Sequence, residues 1–256
     1  MRILLPPSET KSFGGSDAPL DLEALSFSEH QGVTSLRRAL VTELSALCAG
    51  PAEIAAKALG LSEKQAPAEL EANAELLSAP TAPAISRYTG VLYDALDFGS
   101  LTKARKDRAR DTILVGSALF GLVGAADQIP HYRLSASSSL PTGGTLRSRW
   151  TGPLTEALAD FDEELVVDLR SGGYRALGPD PGAVTVDVVS VLPDGSRKVI
   201  THFNKHYKGV LTRALVSSRA TIDDVRSLRR VASKAGIELD VDGENPRALT
   251  MVLREQ

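Results

Sequence analysis

Val184-Thr185-Val186-Asp187-Val188-Val189-Ser190-Val191, followed by Pro193-Asp194-Gly195-Ser196 and then Lys198-Val199-Ile200-Thr201-His202-Phe203, places two β-branched runs around a turn signal. A hairpin is expected there. Strands joined by a tight turn run antiparallel, whereas the strands of a pure βαβ repeat are separated by helices. The sheet is therefore expected to be mixed. Upstream, Leu165-Val166-Val167-Asp168-Leu169 is a short apolar run ending in Arg170-Ser171-Gly172-Gly173-Tyr174-Arg175. Glycines after a buried strand let backbone N–H groups converge on an anion, with Arg170, Arg175 and the Ser171 hydroxyl as further donors. The full GxGxxG and Walker A patterns are absent.

The first residues, Arg2-Ile3-Leu4-Leu5, form a third apolar run, stopped by Pro6-Pro7 and followed by Ser8-Glu9-Thr10-Lys11. Polar side chains just past a strand's carboxyl end lie where open α/β sheets bind ligands, although ordinary turn residues look the same. Thr112 to Val123 begins β-branched and continues with Gly, Ser and Ala, which suits a buried strand passing into a close-packed helix or turn. Pro130-His131-Tyr132-Arg133-Leu134 then resumes an extended path. Helical spacing appears at Leu36, Leu40, Leu44 and Leu47, and again at Trp150, Leu154 and Leu158. Thr221 is the expected cap of a later helix, with Asp224 three residues on. The last strands are expected at Ile237-Glu238-Leu239 and Leu249 to Leu253, around Asp242-Gly243.

Composition narrows the function classes. The chain has 256 residues with 43% apolar and 24% charged side chains, enough to bury a proper core. No window reaches the ~18 apolar residues of a membrane helix, so a soluble, cytoplasmic protein without a membrane partner is expected. The one cysteine, Cys48, excludes an intrachain disulfide and multi-cysteine metal sites, and it reads as a buried structural thiol. His202 and His206 have H-x3-H spacing but straddle an expected strand–helix boundary, so no metal and no cofactor is expected.

Net charge is only −3, but the distribution is uneven. Residues 1–80 carry 6 basic against 11 acidic side chains, whereas 197–230 carry nine Lys or Arg against two Asp. Lys103 to Arg110 adds five cations and one anion. In Arg87-Tyr88-Thr89-Gly90-Val91-Leu92-Tyr93, Gly90 sits between two short helical patterns, where a tight hairpin could present free N–H groups to a phosphate.

Taken in order, Leu4 to Lys11, Arg87 to Tyr93, Gly116 to Leu122, Pro130 to Leu134 and Lys205-His206-Tyr207-Lys208-Gly209 resemble the YaaA peroxide-stress family over nearly the whole chain. The resemblance implies bacterial oxidative-stress defence and DNA binding through a helix-hairpin-helix element, in a single α/β domain (1–256) with a basic cleft. The hairpin maps onto Arg87 to Tyr93, the strand-end turn onto Asp168 to Tyr174, and the basic motif onto Lys205 to Gly209. This chain departs from the family pattern at Glu9, where a Lys is usual, at Asp168, where an Asn is typical, and at Lys208, which replaces an Arg.

Three functions remain open from sequence. The first is backbone-directed binding of duplex or branched DNA, with Arg87, Tyr88, Gly90, Ser171, Gly172, Tyr174, Lys205, Lys208 and Arg213 as contact residues. A second is an enzyme acting on a small phosphorylated or carboxylated substrate, with Glu9 as general base, Lys11 and Arg133 clamping the anion, and Tyr132 beside them. The third is an interaction module whose polar strand ends only satisfy the backbone. The expected fold is an α/β domain with a mixed sheet flanked by helices, including the helix-hairpin-helix-like element and a helical subregion at about 34–110.

Overall fold

The structure is a computed structural model that describes residues 1–16, 18–191, 197–199 and 204–254. Its strands are β1 (Arg2–Leu5), β2 (Thr81–Pro83), β3 (Ile113–Ser117), β4 (Gly121–Gly124), β5 (Gln128–Pro130), β6 (Val166–Asp168), β7 (Val184–Val191), β8 (Arg197–Val199), β9 (Leu239–Val241) and β10 (Ala248–Arg254). The helices are α1 (Gln31–Cys48), α2 (Ala52–Leu59), α3 (Ala66–Ala74), α4 (Ala84–Arg87), α5 (Val91–Leu96), α6 (Lys103–Thr112), α7 (Leu146–Leu158), α8 (Gly172–Arg175), α9 (Asn204–Ser217) and α10 (Val225–Lys234).

One mixed sheet runs β4-β3-β1-β6-β7-β10-β9, and β8 adds to β7. The centre is parallel: β1 pairs with β3 and β6, and β7 pairs with β6 and β10. The antiparallel pairs are β3 with β4, β9 with β10, and β7 with β8, so the chain is a single α/β domain with a mixed sheet. Ile3, Leu4 and Leu5 are fully buried in the middle, as a strand covered on both faces requires. The turn at Pro193 to Ser196 lies outside the described residues, as does His202. The β7–β8 pairing it was read to join is antiparallel.

Of the two continuations open after β3, helix or turn, the chain takes the turn: it reverses over Ala118-Leu119-Phe120 and returns as β4, while three local expectations need correction. Ser117 makes the turn, its hydroxyl accepting from the Leu119 and Phe120 N–H groups at 3.2 and 2.9 Å, while Gly121 takes φ +75°. The motif Lys205 to Gly209 does not precede a helix but lies inside α9. Asp224, not Thr221, caps α10, because its carboxylate accepts from Ser227 N at 2.6 Å and the Ser227 hydroxyl accepts from Asp224 N at 3.1 Å. The strand expected from Ile237 begins at Leu239.

Around Gly90, α4 is one turn and α5 six residues. Gly90 joins them at φ +94°, and a side chain there would come within 3.3 Å of the Thr10 hydroxyl and 3.4 Å of the Ser8 hydroxyl. The loop after β1 is stitched to this segment by a Lys11–Tyr88 bridge and by Ser12 N donating to Arg87 O at 2.9 Å. The small sheet of β2 and β5 then carries the chain from Pro130 to Arg133 alongside.

Candidate functional site at the carboxyl ends of the parallel strands

Because β1, β3 and β6 are parallel, the segments that leave them emerge on one edge of the sheet. Glu9 and Lys11 come from the loop after β1, Ser117 ends β3, and Tyr174 lies in the turn after β6. Tyr132 and Arg133 arrive from β5. The structure brings these residues together although more than 100 positions separate the first from the last.

Lys11 is the centre of the group. Its ammonium is almost wholly enclosed, donates to Ser8 O at 2.9 Å and lies 4.3 Å from the Tyr132 ring centre and 5.4 Å from that of Tyr88. Burial pulls its pKa down to about 8, and nearby Arg133 pushes the same way, against Glu9 and Glu69. Arg133 Nη1 donates to the Glu9 carboxylate at 3.1 Å and to the Glu9 carbonyl at 3.0 Å. On the far side, Glu69 accepts from His131 at 2.9 Å, and the exposed Phe13 ring stacks on His131 at 3.7 Å.

Sequence reasoning missed how many tyrosines share this place. Tyr88, Tyr93, Tyr132 and Tyr174 are four of the five in the chain, and all four lie near one another there. The Tyr132 hydroxyl bonds to those of Tyr88 and Ser117 at 2.8 and 2.7 Å, and the Tyr93 hydroxyl donates to Pro6 O at 2.9 Å. Burial pushes all four phenol pKa values well up, so the phenols are neutral donors. The available signal was that each tyrosine belongs to, or adjoins, a motif placed just past a strand or at the Gly90 joint.

Several candidate contact residues are placed otherwise. Arg87 is fully buried, and its guanidinium donates to the carbonyls of Ser12, Gly14, Pro80 and Ile129. A phosphate cannot reach it without unfolding that knot. Tyr88 is likewise interior. Lys208 is buried, donates to Leu169 O at 3.0 Å, and is brought down to about 8 by burial and by Arg175. Arg170 forms a two-point pair with Asp168 at 3.0 and 2.8 Å and also donates to Gly178 O, so it is not a free anion donor. Arg213 ties α9 to the end of α5 through the carbonyls of Leu96 and Asp97, both at 2.8 Å.

Ser171, Gly172 and Lys205 are exposed. Lys205, with Ser8, Thr10, Gly90 and Tyr93, lines a cavity of about 240 Å³ adjoining the Glu9 loop. Elsewhere, Glu29, His30 and Asp160 hold possible metal-ligand atoms within 4.8 Å of one another. His30 Nε2 is engaged by Asp160 at 2.8 Å, and the positive end of α1 disfavours a cation there. Cys48 is buried, and burial raises its thiol pKa.

A mixed α/β sheet with a Lys, an Arg–Glu pair and four tyrosines gathered at the edge where its parallel strands end defines an α/β protein with a polar strand-end site. A family model described as peroxide stress protein YaaA matches residues 1–240, and the chain belongs to that family. It is similar to a UPF0246 protein of Corynebacterium efficiens, 49% identical over 99% of this chain and 100% of that one. A UPF0246 protein of Streptomyces coelicolor is 41% identical, with 100% and 99% covered. Among the described residues no helix is long and apolar enough to cross a membrane.

Proposed function

We propose that the protein binds duplex or branched DNA through its backbone, as part of bacterial peroxide defence. One observation carries this reading: α6 and α10 both pack against α9, which gathers basic segments about 100 residues apart in sequence into one helical layer. Lys103, Arg105 and Arg110 of α6, Lys205 of α9 and Arg229, Arg230 and Lys234 of α10 are exposed. Such a layer attracts phosphates despite the net charge of −3. Its cations carry no pattern for reading base edges, which fits backbone contact without sequence specificity.

The test is a fluorescence-anisotropy titration of duplex and junction DNA across salt concentrations. Lys103→Glu, Arg105→Glu and Lys205→Glu combined should weaken binding and flatten the log–log salt slope by about 0.9 for each phosphate no longer neutralised. An unchanged affinity and slope would remove the reading. These sites are exposed, so the fold should survive the changes.

A second reading, an enzyme acting on a small phosphorylated or carboxylated substrate, is favoured by the enclosed Lys11 and Arg133 beside neutral tyrosine hydroxyls. Within it, Lys11 and Arg133 hold the anion. Loss of small-anion binding in Lys11→Met, with a normal melting temperature, is the expected result.

A further inference from the structure

We propose that Arg133 and Lys11 form a receiving site for one oxyanion of a small ligand, a carboxylate or a phosphate, and that Glu9 occupies this site while it is empty of ligand. The proposal rests on the small-anion reading and changes the part played by Glu9, from a base to a built-in stand-in for the ligand.

The observations are about supply and demand of charge in an enclosed space. Lys11 is 8% exposed, and the Arg133 side chain 15%. Two cations this deep repel each other, and each needs a compensating anion. Two carboxylates provide it, and they differ in how firmly they are held. Glu69, on α3, is 16% exposed and fixed by His131 at 2.9 Å. Glu9 is 45% exposed, sits on the irregular loop after β1, and its carboxylate meets Arg133 at 3.1 Å. The outer anion is therefore the one free to leave.

Donors are also in excess. Arg133 Nε is buried and has no acceptor among the described residues. The Lys11 ammonium has three N–H groups and, among the described residues, one hydrogen bond, to Ser8 O. A buried donor without an acceptor is costly, so an incoming anion with several oxygens satisfies more of the site than one carboxylate reaching in from the solvent side. Glu9 can swing outward on its loop and yield to such an anion without disturbing Glu69, His131 or the tyrosines. The exchange is one anion for another, with no covalent step.

A base and a stand-in predict opposite outcomes for Glu9→Gln. Removing a base leaves anion affinity unchanged or lowers turnover, whereas removing a competitor raises affinity. If Glu9 holds Arg133 about nine-tenths of the time, the gain is on the order of tenfold.

The experiment is isothermal titration of the full chain at neutral pH with inorganic phosphate and, separately, with acetate, which distinguishes the two oxyanions. Wild type, Glu9→Gln, Glu9→Ala and Glu9→Gln with Arg133→Gln are compared, each with its melting temperature. Tighter binding of either anion by both single variants, and its loss in the double variant, is the expected result. Single variants that fold normally and bind no more tightly than wild type overturn the stand-in role and leave the small-anion reading in place. Absence of binding of both anions by wild type and by both single variants overturns that reading and the proposal with it.

Discussion

The hydroxyls of Tyr88 and Tyr132, 44 positions apart in the chain, meet at 2.8 Å in the interior. Tyr132 passes the contact on to Ser117, whose hydroxyl also holds the turn into β4. A hydrogen-bonded line thus joins the Gly90 joint, the segment after β5 and the end of β3.

Tyr132→Phe removes the middle member and leaves two buried hydroxyls short of a partner. The expected cost is about 1–3 kcal/mol, a fall of roughly 2–10 °C in Tm for a chain of this size. Thermal unfolding followed by circular dichroism checks it. A variant as stable as wild type would show that the line contributes nothing.

Gly209→Ala is expected to reverse an ordinary helix rule. Alanine inside a helix is normally favoured over glycine by about 1 kcal/mol. Here its Cβ would come 2.2 Å from Leu92 O and 2.8 Å from Ala95 Cβ, where α9 crosses α5. A loss of about 2 kcal/mol or more in urea unfolding is expected. A gain in stability would mean that the two helices can part at no cost.

Stability should rise with pH above about 8. Lys11 and Lys208 both titrate at about 8 in the folded chain, against 10.5 as the ordinary value. Between those values the unfolded chain binds more protons, so raising the pH favours the fold, and below about 8 the full penalty of burying the charges applies. From about pH 10 upward the tyrosines act the other way, because the folded chain retains their protons. Urea midpoints at about pH 7.5 and 9.5 should therefore increase in wild type and increase less in Lys11→Met. Equal slopes in the two proteins would contradict an enclosed ammonium.

Arg37→Met should cost about 3 kcal/mol or more. Its buried guanidinium donates to Phe120 O at 2.9 Å, Ser26 O at 2.8 Å and Leu122 O at 2.7 Å, and methionine fills similar space without donors. Chemical denaturation of the purified variant measures it.

How far the sequence could be read follows from what each residue's neighbours are. Ile3 to Leu5 and Val166 to Val167 announce themselves because a parallel strand covered on both faces needs an unbroken apolar run, and Val184 to Val191 does so by its β-branched residues. Trp150, Leu154 and Leu158 announce α7 by their spacing, and all three are buried. Arg87, Lys208 and Arg37 could not be read this way. Charged side chains are rarely enclosed, and nothing local to Arg87 indicates that carbonyls at 12, 14, 80 and 129 converge on it. That the Glu9–Lys11 loop and the turn carrying Tyr174 share an edge was foreseeable from strand direction, since both follow parallel strands, whereas Tyr132 arrives from β5 of the small antiparallel sheet. The number of tyrosines there was not, because it depends on how β2 and β5 fold back over the sheet.

Arg37 has a consequence at the rim of the sheet. Along β4 the backbone groups of Val123 face β3, so Leu122 O and Gly124 N point outward, where another chain could dock strand to strand. Arg37 fills the carbonyl and Asp127 the N–H, at 2.7 and 2.9 Å. At the opposite rim Arg229 reaches from α10 to Leu239 O of β9 at 2.8 Å. At each rim a side chain thus holds a backbone group that a further strand would need, so the sheet is guarded at these positions by arginine and aspartate rather than by a proline.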